Sequence, residues 1–220
     1  MKGKLVVISG YGPGLGESLR NHFEHAGAQV VGISRHSSEY RADMTQANEA
    51  IDVFDKILKQ YGRLDIVIHN VARLSRGLLN DVDATEFELS WRYNTLSAFN
   101  LIKAALPTML DRGEGKLFFT GATASVRGSA GFGPFASAKF ALRGMLQSLA
   151  REVHPKGIHV AHLLLDGILW SELSRQRFPS LTKEQAILPE EIAETYLMLA
   201  NQKSSAWSHE LDIRPSGENF

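Results

Sequence analysis

A continuous apolar run, Leu5-Val6-Val7-Ile8-Ser9, passes directly into Gly10-Tyr11-Gly12-Pro13-Gly14-Leu15-Gly16. An unbroken run of this kind is what a strand buried on both faces of a parallel sheet requires. Glycines then let the backbone turn tightly and approach a ligand closely. Pro13 stiffens that turn and restricts Gly12 to extended conformations. A helix opening near Leu15 would present unpaired N–H groups and a positive dipole end, which suits a pyrophosphate. The bland alternative is a tight strand–helix turn and nothing more. Four glycines at this one place weigh toward a dinucleotide, although the spacing is Gly-x-x-x-Gly-x-Gly with an added Gly12 rather than the common G-x-G-x-x-G.

The rest of the chain alternates strand and helix without repeats or low-complexity linkers. Helix is expected from about Leu15 to Ala26, with Gly27 as its C-terminal cap. Gln29 to Ser34 reads as a second strand. Thr45 is placed to cap a helix running to Tyr61, which Gly62 ends. Leu64 to His69 is a strand. Asp83 and Glu86 resemble a capping box for a long helix through Leu106. Lys116 to Thr120 is a strand, and Phe135 opens a helix reaching about Val153. Ile158 to Leu165 is a strand, Pro189 to Asn201 includes a helix, and Leu211 to Ile213 is a last short strand. Between the second strand and Ala42-Asp43-Met44 there is no room for a crossover helix, so the third strand is expected to be short or irregular. Alternation of this kind needs right-handed crossovers. The expected fold is α/β: one Rossmann-type, doubly wound, mostly parallel sheet with helices on both faces, a single domain over residues 1–220, and ligands at the carboxyl ends of its strands.

Composition narrows the function. Lys plus Arg equals Asp plus Glu, 24 each, so no excess positive field argues for nucleic acid or an acidic membrane. Cysteine is absent, which removes disulfides and thiolate metal sites and fits a reducing cytoplasm. No apolar run approaches the roughly 20 residues of a membrane span, so the chain is read as cytoplasmic. His22 and His25, and His159 and His162, are paired in sequence, but no third ligand accompanies either pair, and no metal is expected. Trp91, Phe132, Trp170 and Phe178 are candidates for either a substrate pocket or the core.

The glycine loop, with Ser9 in the place of a threonine, resembles the Thr-Gly-x-x-x-Gly-x-Gly loop of the short-chain dehydrogenase/reductase family, and the resemblance extends over nearly the whole chain. It implies that Ser9, Gly10, Gly12, Gly14, Leu15 and Gly16 hold the cofactor. Asp43, in Ala-Asp-Met-Thr, matches the aspartate that bonds the adenine amino group; by itself it could equally be a helix cap beside Thr45. Asn70, in His69-Asn70-Val71-Ala72, stands in the place of Asn-Asn-Ala-Gly. Asn94 matches the family's helix asparagine, and Lys139 the lysine that bonds the nicotinamide ribose and tunes a tyrosine. A lone lysine on a helix is ordinarily a surface residue; it is the order of loop, Asp43, Asn70, Asn94, strand and Lys139 that singles this one out.

The departures from the family pattern fall on the chemistry. Four residues before Lys139, where the resemblance calls for a tyrosine, stands Phe135, which has no proton to exchange. The family serine aligns with Ala122 in Gly121-Ala122-Thr123-Ala124-Ser125. The usual Pro-Gly after the following strand is Asp166-Gly167. The resemblance implies an oxidoreductase acting on a carbonyl or alcohol, here with a non-standard proton donor among Ser125, Thr123 and Asp166. The rival reading is a catalytically impaired dinucleotide-binding or regulatory module. A methyltransferase fits less well, since it leaves Asp43, Asn94 and Lys139 unexplained. Arg35, at the end of the second strand where no carboxylate stands, points to NADP(H), with NAD(H) as the alternative. The partners expected are a small-molecule substrate and further copies of the chain, as a homodimer or homotetramer. The apolar residues of the helix after Thr85, and Phe140 and Leu146 after Phe135, spread over more than one helix face.

Overall fold

In the computed structural model, which describes residues 1–37 and 39–218, seven parallel strands form one sheet. They are β1 (Leu5–Ser9), β2 (Gln29–Ser34), β3 (Tyr40–Arg41), β4 (Ile66–His69), β5 (Gly115–Thr120), β6 (Ile158–Leu165) and, last in the chain, β9 (Glu210–Ile213). Their order is β3-β2-β1-β4-β5-β6-β9. The chain thus winds outward from β1 in one direction and then, from β4, in the other. The switch point lies between β1 and β4, where a doubly wound sheet opens a crevice at its carboxyl edge.

The strand sequence builds a core on each face. Leu5 and Val7 pack with α2 (Ala47–Tyr61), α4 (Ser97–Arg112) and α5 (Gly133–Val153). Val6 and Ile8 point the other way, toward α1 (Leu15–His25) and α7 (Pro189–Asn201). All five residues of β1 are buried, as its apolar run requires.

Most elements fall where the sequence places them, with instructive exceptions. Thr45 does not cap α2. Gln46 stands at the cap without a side-chain bond, because the Thr45 hydroxyl is turned back to Asp43 Oδ1 at 2.8 Å. The third strand is two residues long, as the tight connection demands, but it is Tyr40–Arg41, paired with Ile33 and Ser34, and precedes Ala42-Asp43-Met44. Asp83 accepts from Glu86 N at 2.7 Å and opens α3 (Ala84–Trp91). The helix is interrupted by a π-helical stretch over Arg92–Leu96 and continues past Leu106 to Arg112. An excursion that the sequence did not announce follows β6. It contains β7 (Ile168–Leu169), α6 (Glu172–Arg177) and β8 (Ala186–Ile187), with β7 and β8 forming a separate parallel ribbon. Among the described residues, no helix is long and apolar enough to cross a membrane.

Candidate functional site

The turn after β1 works as the glycines suggest. Gly10 has φ +83°, and a Cβ there would lie 2.6 Å from the backbone of Asn70. Only glycine lets the turn pass that close to β4. Gly14, with φ +85°, caps α1 with no side chain, and a Cβ at Gly14 or Gly12 would meet nothing within 4 Å. The loop therefore faces open space with the first turn of a helix behind it, the geometry that receives a phosphate group. Tyr11 folds over this turn, its ring against Gly32 of β2, with the Arg20 guanidinium 4.5 Å from its centroid.

A cleft of about 630 Å³ opens along this edge, within the size range of small-molecule and cofactor sites. Gly10, Gly12, Arg35, Asp43 and Asn70 line it together. Arg35 reaches across to Tyr93, donating to the phenol at 2.9 Å and lying 5.2 Å from its ring centroid. At the end of β2 the lining is Ser34, Arg35 and His36. The nearby Glu39 carboxylate lies 3.9 Å from Arg20. Asp43 lines the cleft; it does not cap α2, whose N-cap is Gln46, and its Oδ1 instead accepts from the backbone N–H and the hydroxyl of Thr45. Other members of the predicted set do not line the cleft. The Ser9 side chain is fully buried and its hydroxyl lacks a partner among the described residues. Leu15 belongs to the core under α1, and Gly16 sits beneath the Tyr11 backbone. Tyr11, Arg20 and Tyr93 were missed in sequence; Tyr93, next to Asn94, was the one with a positional signal.

A second group stands at the carboxyl end of β5, joined to the cleft through Thr120. The Thr120 hydroxyl donates to Asn70 Oδ1 at 3.0 Å, while its carbonyl accepts from Lys139 Nζ at 3.1 Å. Lys139 is 1% exposed, so the surface-residue alternative fails. Burial lowers its pKa to about 8, since an ammonium loses its hydration there. Its Nζ lies 5.7 Å from the centre of the Phe135 ring, one helical turn back on α5. His69, on β4, is also buried, and its pKa is lowered to about 3, first by burial and then by the Lys139 charge. Phe135 packs with Ala122, Ala124, Phe132 and Ala136 in a small apolar cluster. Asn94 lies in the π-helical stretch, an irregularity often found at functional sites. Its amide donates to the carbonyls of Arg73 (2.9 Å) and Ser90 (2.8 Å), and its oxygen accepts from Arg73 N (3.3 Å), so it fixes the loop after β4.

The three hydroxyl and carboxyl candidates around this group differ in what occupies them. Ser125 is fully buried, and its Oγ accepts from Ala122 N at 3.2 Å. Thr123 is half-buried and donates to Asp166 Oδ1 at 2.5 Å. Asp166 Oδ2 lies 3.2 Å from the Arg214 guanidinium. Of the aromatic candidates, Phe132 joins the Phe135 cluster, whereas Trp91 lies in a separate shallow dent with Val82 and Phe87.

A parallel sheet with a switch point, a glycine turn under a helix N-terminus and a cleft at that point define a nucleotide-binding doubly wound protein. The chain belongs to the short-chain dehydrogenase family, whose model matches residues 4–180. Among curated relatives it is similar to a 3-oxoacyl-[acyl-carrier-protein] reductase of Thermotoga maritima, 22% identical over 93% of each chain. Among solved structures it is similar to a short-chain dehydrogenase from Rhodopseudomonas palustris, 29% identical over 98% of this chain and 100% of that one, with a TM-score of 0.83. An alcohol dehydrogenase of the archaeon Thermococcus sibiricus, solved with 5-hydroxy-NADP, shares the fold at a TM-score of 0.88 and 22% identity, over 99% of this chain and 98% of that one.

Proposed function

We propose that this chain is an NADP(H)-dependent oxidoreductase that interconverts a carbonyl and an alcohol, and that its proton donor is not the residue at the usual tyrosine position. The observation that carries this reading is the cleft in which Gly10, Gly12, Arg35, Asp43 and Asn70 come together at the switch point. The residues fit a dinucleotide: open space above Gly12 and Gly14 for a pyrophosphate, Asp43 at the adenine end, and a guanidinium at the end of β2 for a 2′-phosphate. The binding of 5-hydroxy-NADP by the Thermococcus protein supports the same choice. When bound, a nicotinamide supplies the hydride acceptor or donor. The protein's part is to hold the substrate, exclude water and move one proton. Lys139 matches the family lysine that bonds the nicotinamide ribose, and Asn94 holds the loop after β4 through Arg73.

Phe135 and Ala122 stand where the resemblance places a tyrosine and a serine, and their side chains form an apolar cluster. That cluster favours the second reading, a module that holds the dinucleotide without turnover. Titration with NADPH and NADH, followed by nicotinamide fluorescence, tests the shared premise. Tight NADPH binding supports both readings, and failure to bind either nucleotide rejects both. Oxidation or reduction of any member of a carbonyl and alcohol panel then separates them.

We also infer that the protein self-associates. Phe87 and Trp91 on α3, Phe99 on α4 and Phe140 on α5 are each more than 40% exposed, large apolar side chains that an interface between copies would cover.

A further inference from the structure

Thr123 and Asp166 face each other at the ligand edge of the sheet. β5 and β6 are paired in register, with Thr120 opposite Leu163 as the last pair. Three residues beyond each, Thr123 and Asp166 close the gap with a hydroxyl–carboxylate hydrogen bond of 2.5 Å. Asp166 is held from three sides. Its N–H donates to the Ile213 carbonyl at 2.8 Å. Its second oxygen meets Arg214 at 3.2 Å. Gly167, immediately after it, is packed so that a Cβ would lie 2.8 Å from Pro215. Asp166 is 7% exposed, while Thr123 is only half-buried, so Thr123 is the member of the pair nearer solvent. Thr123 also lies next to Ala122 and three residues beyond Thr120, whose carbonyl anchors Lys139. Ser125, by contrast, spends its oxygen on the Ala122 N–H and is sealed off.

Resting on the oxidoreductase reading, we propose that Thr123 and Asp166 are the proton-transfer pair of this site, taking the hydroxyl proton of an alcohol as its hydride leaves to an oxidised nicotinamide dinucleotide. The substrate O–H bond breaks toward Thr123 Oγ1 while the proton already on Thr123 passes to Asp166 Oδ1. The electron pair of the substrate C–H bond leaves with the hydride, and a carbonyl remains. Reduction runs the same transfers backward. Arg214 is a positioning residue, its guanidinium 3.2 Å from Asp166 Oδ2. The role resembles that of a general base acting through a hydroxyl, with a worth of about 10²–10⁴-fold.

The test uses the full chain with NADP⁺ and a panel of primary and secondary alcohols. NADP⁺ binding by calorimetry should be unchanged in Asp166→Asn, Thr123→Val, Thr123→Ser and Ser125→Ala. Asp166→Asn should lower kcat/KM by about 10²–10⁴-fold. Thr123→Val should fall similarly, Thr123→Ser should recover most of the rate, and Ser125→Ala should stay near wild type. In the ligand-free protein, the carboxylate infrared band that disappears in Asp166→Asn should shift in Thr123→Val. A wild type that does not bind NADP⁺ removes the oxidoreductase reading, and this inference with it. Binding without oxidation of any alcohol, an Asp166→Asn variant with the wild-type rate, or an unshifted band overturns the pair's role while leaving the nucleotide cleft in place.

Discussion

Lys139 and Phe135 face one another across a single turn of α5, the ammonium nitrogen 5.7 Å from the ring centre. The lysine is buried, and its ammonium donates to the Thr120 carbonyl at 3.1 Å. Its lowered pKa, about 8, follows from desolvation. A phenol in the place of the phenyl ring would be close to a partly desolvated cation, which favours the phenolate and pulls a phenol down from its usual value near 10.

This arrangement predicts a gain of function. Phe135→Tyr with Ala122→Ser should create or raise NADPH-dependent reduction of a carbonyl panel, by up to about 10²–10⁴-fold. Phe135→Tyr alone should give less, because the carbonyl would lack an orienting hydroxyl. Adding Lys139→Ala to the double variant should remove the gain. A folded, NADPH-binding double variant with no gain on any carbonyl would favour the repurposed pocket.

Arg35 predicts the cofactor preference. Its guanidinium is exposed beside the cleft and steadied by Tyr93. A charge-assisted hydrogen bond to a phosphate is worth about 1.5–3 kcal/mol, so Arg35→Ala should weaken NADPH binding roughly ten- to hundredfold. NADH binding should change little. Comparable losses for both nucleotides, measured by fluorescence titration, would reject the 2′-phosphate assignment.

What could be read in the sequence was what local chemistry dictates. Positive φ at Gly10 and Gly14 and burial of Leu5 to Ser9 follow from residue type and pattern, and so the first βα unit was legible. The Lys139 position was legible only through its order relative to the other motifs, because nothing local distinguishes a buried helix lysine from an exposed one. Thr45 misled because its hydroxyl had two partners within reach, the helix end and Asp43, and the turn won. The ribbon of β7 and β8 was illegible because two-residue strands carry no periodicity. The Asp166–Arg214 contact joins the ends of β6 and β9, and no spacing rule in a single sequence brings those together.

Self-association predicts an effect at the exposed aromatics. Phe140 and Trp91 lie on packed neighbours, α5 and α3, and are 44% and 41% exposed. Light scattering at micromolar concentration should show a dimer or tetramer. Phe140→Glu with Trp91→Glu should shift it to monomer while the helical circular dichroism persists. A wild-type monomer would mean that these side chains have another use.

Acid should unfold this protein earlier than its neutral net charge suggests. His69, His159 and His162 are fully buried. Desolvation lowers His69 to about 3 and the other two to about 4. The His159 ring stacks on Trp207 with centroids 4.8 Å apart and bonds the Ser208 carbonyl at 2.8 Å, tying the segment before β9 to β6. The folded state therefore binds fewer protons than the unfolded chain, whose histidines titrate near 6.5. Stability is fully present above that value and is lost as pH falls from 6.5 toward 4. Glu210 adds to the loss from its own side. Its hydrogen bond with Arg143 holds it at about 2, so its contribution is present above its usual 4.5 and disappears as pH falls toward 2. Both effects have the same sign. Each buried histidine is worth up to about 1.4 kcal/mol per pH unit inside its window. The melting temperature should therefore be nearly flat from pH 8 to 7 and drop by on the order of 10 °C between pH 7 and 5. His159→Phe keeps a ring against Trp207 but has no proton to gain. It should lower stability modestly at pH 8, through the lost bond to Ser208, and reduce the drop between pH 7 and 5. A variant with the wild-type pH slope in thermal melts would show that His159 takes up no proton on unfolding.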